Sequence, residues 1–453
     1  MDTRQHGPED RTTVASQRAL ASVHLGFDRY PEAERLLVAA LASEERTMSP
    51  DHPAVLASVN SLANVYSAQQ KFAEAERMHR RSVDANTRTL GPQHPRTLIS
   101  QFNLAMNHSR AGRMNEAEDL MDEVLQSRVE VLGTEHPKTM KTALTLGRML
   151  EKQGKQDAAL QLYRDVVERF QLTTPTTYNR LYAVSSFVRL LRQRDRSTEA
   201  AAFLREALPP IQQAMRTTTL EPRAVLVGVG LESTYAELLN PTEGEAFLAE
   251  ALADAQRMQS PNVQLVNWRL QRLSNAYCAH GKLEACLEVR KEAVAWAEKH
   301  FGPTHKDTLN NQFNLGLVRQ RLEHHTEAVA VFASIIEARS STLGPDHPKT
   351  LKAHLAQAQS HASLNHNALA EQGYTRALTG YRQVEPLDEM WVLTARIYAD
   401  FLQESGRNAD AQQLRRSVIA EAQERLGDTA GSAAVQQHLS GLEAALASEP
   451  ISP

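Results

Sequence analysis

Residues 90–97 read LGPQHPRT, residues 132–139 read LGTEHPKT, and residues 343–350 read LGPDHPKT. Met once, such a Gly-Pro-acid-His-Pro string looks like a metal or ligand site. Its recurrence decides otherwise. The glycines of octet-like strings are Gly7, Gly91, Gly133, Gly302 and Gly344, and Ser49 in MSPDHPAV fills the first gap. Positions 7, 49, 91 and 133 lie 42 residues apart, as do 302 and 344. The 169 residues from Gly133 to Gly302 are four periods plus one, which predicts degenerate copies near Pro175, Thr218 and Ser260. The same step beyond Gly344 lands on Pro386 and beside Gly427. A fixed period sustained along a chain means stacked repeats, and it outweighs any local motif.

Inside a period the pattern is helical and double. In the stretch after His52, Leu56, Val59, Leu62, Ala63 and Tyr66 fall at helical spacing. QQKF makes a short turn, and Phe72, Ala75, Met78, His79, Val83 and Thr87 mark a second helix. The octet closes the unit. Its Gly suits a helix C-terminus, because it accepts positive φ without a Cβ clash. Its acid is expected to cap the next helix, and its Pro is tolerated in a first turn. Its His is expected to pack in the loop between repeats.

SLANVYSAQQKFAEAE, NLAMNHSRAGRMNEAE and NLGLVRQRLEHHTEAV resemble tetratricopeptide repeats: Leu and a small residue in helix A, and an Ala in helix B. The 42-residue period resembles the kinesin-light-chain type of that repeat. The resemblance covers about residues 7–430, strongly in 7–170 and 262–380. It implies an all-α fold, a right-handed α-solenoid of stacked antiparallel helix pairs, whose concave face of A helices binds a partner's peptide segment. The expected organisation is regular repeats over 7–170, degenerate repeats forming a hinge or pocket over 171–260, C-terminal repeats over 261–426, and a capping helix and tail over 427–453. Kinesin light chains carry a long heptad coiled coil before their repeats, and this sequence shows none. It opens almost on an octet, HGPEDRTT, so residue 1 is expected to lie inside a longer array or parent protein. In bacteria such arrays are often fused to serine/threonine kinase or signalling-ATPase domains.

A chain of 453 residues is too long for one ordinary core, which agrees with a repeat array. A net charge of -4 gives no general pull toward nucleic acid or an anionic membrane, and neither is expected as a partner. Two cysteines in this length argue for a reducing compartment. No apolar run approaches the ~20 residues that span a bilayer, and the N-terminus has no signal-like apolar region. A cytoplasmic chain is the expectation; the oligomeric state is not legible.

Each candidate for chemistry has a structural alternative. The octet histidines are His52, His94, His136, His305 and His347. One repeat apart in a solenoid means about 20 Å, from the ~10 Å spacing of packed helices, so they cannot share a metal ion. His324-His325 falls in a helix turn. Cys278 and Cys286 flank AHGKLEA, a spacing of no zinc or redox motif, and read as small buried thiols. GVGLES, at 228–233, lacks the third glycine and preceding strand of a phosphate loop and falls where a helix A belongs. No cofactor motif and no catalytic signature is found, so no enzyme is expected.

The groove remains. In the family, positions two before and two after the helix-A Leu, and five and six after it, face the concave side. Counting from Leu20, Leu62, Leu104, Leu146, Leu273 and Leu315 projects Arg18, Asn60, Asn64, Met106, Arg110, Arg148, Lys152, Gln271, Asn275, Gln320 and Arg321 onto it. Glu151 is the one acid, Phe102, Leu144, Phe313 and Leu317 are apolar, and Arg189 and Arg192 join if the fifth repeat keeps register. Asn can hold a peptide backbone, while Arg and Lys engage carboxylates. The leading reading is a non-enzymatic scaffold or adaptor taking an acidic segment or C-terminal carboxylate of a protein partner. The alternatives are a sensor segment of a larger signalling protein, or a repeat-fold enzyme or small-molecule receptor with a pocket in 171–260.

Overall fold

The computed structural model describes residues 11–169, 178–217, 220–258, 261–384, 388–426 and 432–447. The octet registers at Gly7, Pro175, Thr218, Ser260, Pro386 and Gly427 lie outside those residues. Two compact units divide at Leu238 and Leu239. The first holds α1 (Arg11–Gly26), α2 (Tyr30–Thr47), α3 (Pro53–Ala68), α4 (Phe72–Leu90), α5 (Pro95–Arg110), α6 (Met114–Leu132), α7 (Pro137–Lys152), α8 (Gln156–Arg169), α9 (Tyr178–Gln193), α10 (Ser197–Thr217) and α11 (Pro222–Leu238). The second holds α12 (Pro241–Gln256), α13 (Val263–Ala279), α14 (Leu283–Phe301), α15 (Lys306–Arg321), α16 (His325–Thr342), α17 (Pro348–Ser363), α18 (Asn367–Arg382), α19 (Glu389–Glu404), α20 (Asn408–Leu426) and α21 (Ala433–Ala447). Among the described residues no strand occurs. Up to α20, odd-numbered helices are the A helices and even-numbered ones the B helices. GVGLES lies inside helix α11.

Small residues let paired helices approach. The helix-B alanines Ala33, Ala75, Ala117, Ala159, Ala200, Ala328, Ala370 and Ala411 are all fully buried. The helix-A leucines Leu62, Leu104, Leu146, Leu273 and Leu315 are buried against them, whereas Leu20, in the same register, is about half exposed. Opposite each alanine's next turn the pair is complementary in size. A Cβ on Gly147 would stand 2.5 Å from Tyr163 Cζ, and one on Gly316 would stand 2.6 Å from Phe332 Cε1.

A second marker keeps the period at the A/B turns. Asp28, Gln70, Gly112, Gly154, Asp195, Gly281, Glu323, Asn365 and Gly406 all adopt positive φ, between 57° and 80°. Each lies inside a loop closed by a backbone bond from the following N–H to the carbonyl five residues earlier, as in Lys71 N–H to Tyr66 O (2.8 Å) and Arg196 N–H to Leu191 O (2.9 Å). The step from Gly154 to Asp195 is 41 residues, so the fifth repeat keeps register with one residue deleted. That puts Arg189 two residues after the helix-A core position, now filled by Phe187.

The octet uses nearly every residue, and one role differs from expectation. Gly91, Gly133, Gly302 and Gly344 have φ between 84° and 99° and end their B helices, except that Leu343 holds that place after α16. The N-cap is not the acid. It is the histidine: Nδ1 of His52, His94, His136, His305 and His347 accepts the backbone N–H two residues on, at 3.1–3.2 Å. A ring nitrogen with a free lone pair does here what an Asn or Asp oxygen does elsewhere. The same register holds Asn262 and Asp388 where the octet has decayed, and both cap with their side chains. The octet Thr then ties the loop back: Thr97, Thr308 and Thr350 donate to the carbonyls of Gly91, Gly302 and Gly344 at 2.7–3.0 Å. His94→Ala is therefore expected to cost about 1 kcal/mol of stability in urea denaturation, and His94→Asn to leave it within ~0.5 kcal/mol. Equal losses for both would mean that packing, not capping, is the histidine's contribution.

Cys278 and Cys286 are not separate thiols. They form a disulfide across the α13/α14 turn, with Cα atoms 5.3 Å apart. The reason is positional: Cys286 occupies the helix-B alanine register, fully buried, where the paired helices come closest.

Candidate functional site

The A-helix residues projected onto the groove fall into two groups. Those two positions before the core Leu pack between repeats. Asn60 donates to Ser82 Oγ (2.7 Å), Gln271 to Asn311 Oδ1 (2.9 Å), and Arg18 lies 3.5 Å from the buried Glu44 carboxylate. Phe102, Leu144 and Phe313, at that register, are buried. Phe102 sits beneath the Arg128 guanidinium, 5.1 Å from its centroid, and Phe313 sits likewise beneath Arg339, at 5.3 Å. These two buried arginines, 3–4% exposed, are held by backbone: Arg128 donates to Lys138 O and Leu98 O, Arg339 to Lys349 O and Leu309 O. Burial alone depresses their basicity. The sequence reading missed both as inter-repeat clamps.

The positions after the core Leu are the open ones. Asn64, Arg110, Arg148, Lys152, Asn275 and Arg321 are exposed, and Met106 is half-buried. In the second unit the polar members are engaged: Asn275 accepts from Arg290, Arg321 donates to Cys278 O (3.3 Å), and Gln320 donates to Ala356 O and Ser360 Oγ. Arg290 is nine-tenths buried and its pKa is pushed down to about 10 by burial. In the first unit, Glu151 accepts from Tyr163 OH (2.9 Å) and Arg189 (2.6 Å), and Arg192 pairs with Glu237 (3.0 Å). The remaining cations differ. Among the described residues, Arg110 reaches only Ser67 Oγ (3.3 Å), Arg148 only Thr145 Oγ1 (3.5 Å), and Lys152 has no ion-pair partner. Ser67 lies on α3 and Arg110 on α5, so successive A helices meet along this face.

Helix pairs repeated at 42 residues, closed by the same turn and the same cap, define a repeat scaffold for protein interaction. The profile of the tetratricopeptide repeat matches residues 12–87, 55–128, 100–171, 265–341 and 313–383. The chain belongs to the tetratricopeptide repeat family. Similar solved structures include the nearly identical TPR-like repeats assigned to a kinesin light chain of Podosopora anserina, at 26% identity and TM-score 0.40, covering 47% of this chain and 100% of that one. BtubC (BKLC) of P. vanneervenii is 15% identical with TM-score 0.43, covering 57% and 94%. A signal transduction ATPase with numerous domains and a tetratricopeptide repeat sensor, from Pyrococcus horikoshii, is 11% identical with TM-score 0.45, covering 81% and 55%. At those scores the superpositions carry no argument, and membership rests on the profile. No curated protein matches the chain. No helix among the described residues is long and apolar enough to cross a membrane.

Proposed function

We propose that the chain is a non-enzymatic scaffold whose first-unit A-helix face takes an acidic segment, or the C-terminal carboxylate, of a protein partner. One observation carries the reading: Arg110, Arg148 and Lys152 are exposed on α5 and α7, and among the described residues none is neutralised by a carboxylate. A guanidinium whose partner is a lone hydroxyl gains more from a bidentate carboxylate than one already paired, as Arg189 and Arg192 are. Asn64, exposed on α3, adds an amide able to hold extended peptide backbone.

The test is fluorescence polarisation with short peptides ending in Glu or Asp, with free and amidated C-termini. Arg110→Glu combined with Arg148→Glu removes two charged contacts of about 1.5 kcal/mol each, so affinity is expected to fall about 100-fold. An affinity unchanged by the double substitution removes the assignment. A free carboxylate that outbinds its amide assigns the terminus; equal binding assigns acidic side chains.

A further inference from the structure

On the B-helix side of the first unit, a cavity of about 440 Å3 opens between α6, α7 and α8. Its floor is apolar, made by Leu125, Val129, Leu162 and Val166. Asp122 and Glu130 stand exposed at its mouth. Each accepts from a neutral amide, Gln126 Nε2 to Asp122 (2.7 Å) and Gln93 Nε2 to Glu130 (2.8 Å), and neither has an ion pair among the described residues.

The chain's own repeats show that two departures made this pocket. Ala143 forms part of its wall. That register carries larger side chains in most other repeats, Val59, Gln101, Leu270, Gln312 and His354, and Gln312 there reaches across to Glu298 (2.8 Å). An alanine leaves the space unfilled. The mouth also carries acid where several repeats carry base. Asp122 takes the register of Arg80, Arg164, Arg205, Lys291 and Arg416, which is neutral at Val38, Ala333 and Thr375. Glu130 takes that of Arg46, Arg88 and Lys299, which is neutral at Gln213, Ser341 and Gln383 and acidic again at Glu424. One repeat earlier, Arg80 and Arg88 are already neutralised, by Glu76 and Asp51, both at 2.7 Å.

We infer that this pocket is a second docking site, which accepts an arginine or lysine side chain from a basic segment of a protein partner. The fit is chemical. A long basic side chain has an aliphatic stem for the apolar floor and a cationic head for the two carboxylates. An anionic or purely apolar side chain would leave both carboxylates unmatched. The site lies away from the A-helix face and stands independently of the carboxylate reading above.

The experiment measures fluorescence anisotropy of a labelled, acetylated and amidated pentapeptide of alternating leucine and arginine, against the same peptide with glutamate for arginine. Binding of the arginine peptide alone is expected. Ala143→Gln fills the pocket with the side chain the neighbouring repeats carry, without altering charge, and is expected to weaken binding at least ~10-fold. Asp122→Arg with Glu130→Arg, which restores the neighbours' residues, is expected to abolish it. Arg110→Glu with Arg148→Glu is expected to leave it unweakened, which separates this site from the A-helix face. Circular dichroism melts check that each variant folds. Binding insensitive to Ala143→Gln would mean mere attraction to an acidic protein and overturns the proposal, as does no binding to the wild type. A self-association of the chain that Ala143→Gln abolishes while peptide affinity stays put overturns it too.

Discussion

Phe332→Ala is expected to destabilise the second unit by about 3–5 kcal/mol, the cost of emptying a fully buried aromatic site. The ring is wholly buried, packs 5.6 Å from the Phe313 ring, and lies directly over Gly316. Nothing nearby can swell to fill the gap, because Ala328, Ala353 and Ala356 around it are already small. Gly316→Ala tests the same contact from the other side. Two effects oppose: alanine is the better helix former by about 1 kcal/mol, while overpacking costs about 1–3 kcal/mol. The 2.6 Å approach to a ring held on all sides makes the second effect win. Gly316→Ala should therefore destabilise alone, and adding Phe332→Leu should recover part of the loss, a non-additive pair. In a repeat array contacts reach only neighbours, so hydrogen exchange should rise in α15–α18 and leave the first unit unchanged. Additive losses, or a loss under 1 kcal/mol for Phe332→Ala, would contradict the packing described.

The fold was legible because the octet repeats at a fixed step, and a period survives when individual residues decay. The A/B turn was less legible for a physical reason. Positive φ is cheapest for glycine, but Asp28, Gln70, Glu323 and Asn365 accept it where the loop is closed by backbone bonds, so no single letter marks the site. The histidine cap was missed because a cap is sought among Ser, Thr, Asp and Asn. The register offered a signal, since Asn262 and Asp388 replace the histidine where the octet fails. The disulfide left a similar trace: Cys286 stands at a position that is alanine in most repeats and Gly244 in α12, where the paired helices pack on a small residue.

For the candidate site, the two sides of the core Leu have different surroundings, which counting along one helix does not reveal. Positions after the Leu project outward in the first unit. Positions before it meet the next repeat, because Ser100 and Asn311 of the following A helix close over them, as the bonds of Asn60 and Gln271 show. One helix cannot reveal what its neighbour will cover. Charge pairing was likewise illegible: Arg148 and Arg189 sit in the same register, yet only Arg189 finds a carboxylate, Glu151, from the preceding repeat.

Lowering the pH is expected to weaken the first unit through His79, which lies in α4 where the next repeat carries Met121. Its ring is 1% exposed, its Nδ1 has no hydrogen-bond partner among the described residues, and its pKa is lowered to about 4. Burial is the main cause, with the positive field of Arg110 and of His108, both on α5, adding to it. The direction follows from which state takes the proton first. An unfolded chain binds it near pH 6.5 and the folded one only near 4, so His79 costs nothing above ~6.5 and destabilises progressively as pH falls to ~4. The full effect is about 3 kcal/mol, from 1.36 kcal/mol for each pH unit of the shift. His108, buried beside Arg113, is shifted in the same direction and adds to the loss. His79→Met puts the next repeat's own residue into the slot, and should flatten the urea stability curve between pH 6.5 and 4 while leaving the value at pH 8 within ~1.5 kcal/mol. A variant whose stability falls as steeply as the wild type's would assign the acid sensitivity to other groups. The consequence reaches function, because the charge that keeps His79 neutral comes partly from Arg110, the same guanidinium offered to a partner's carboxylate. A bound carboxylate would offset that field, so an acidic peptide should raise the His79 pKa, a shift readable by NMR titration of its ring.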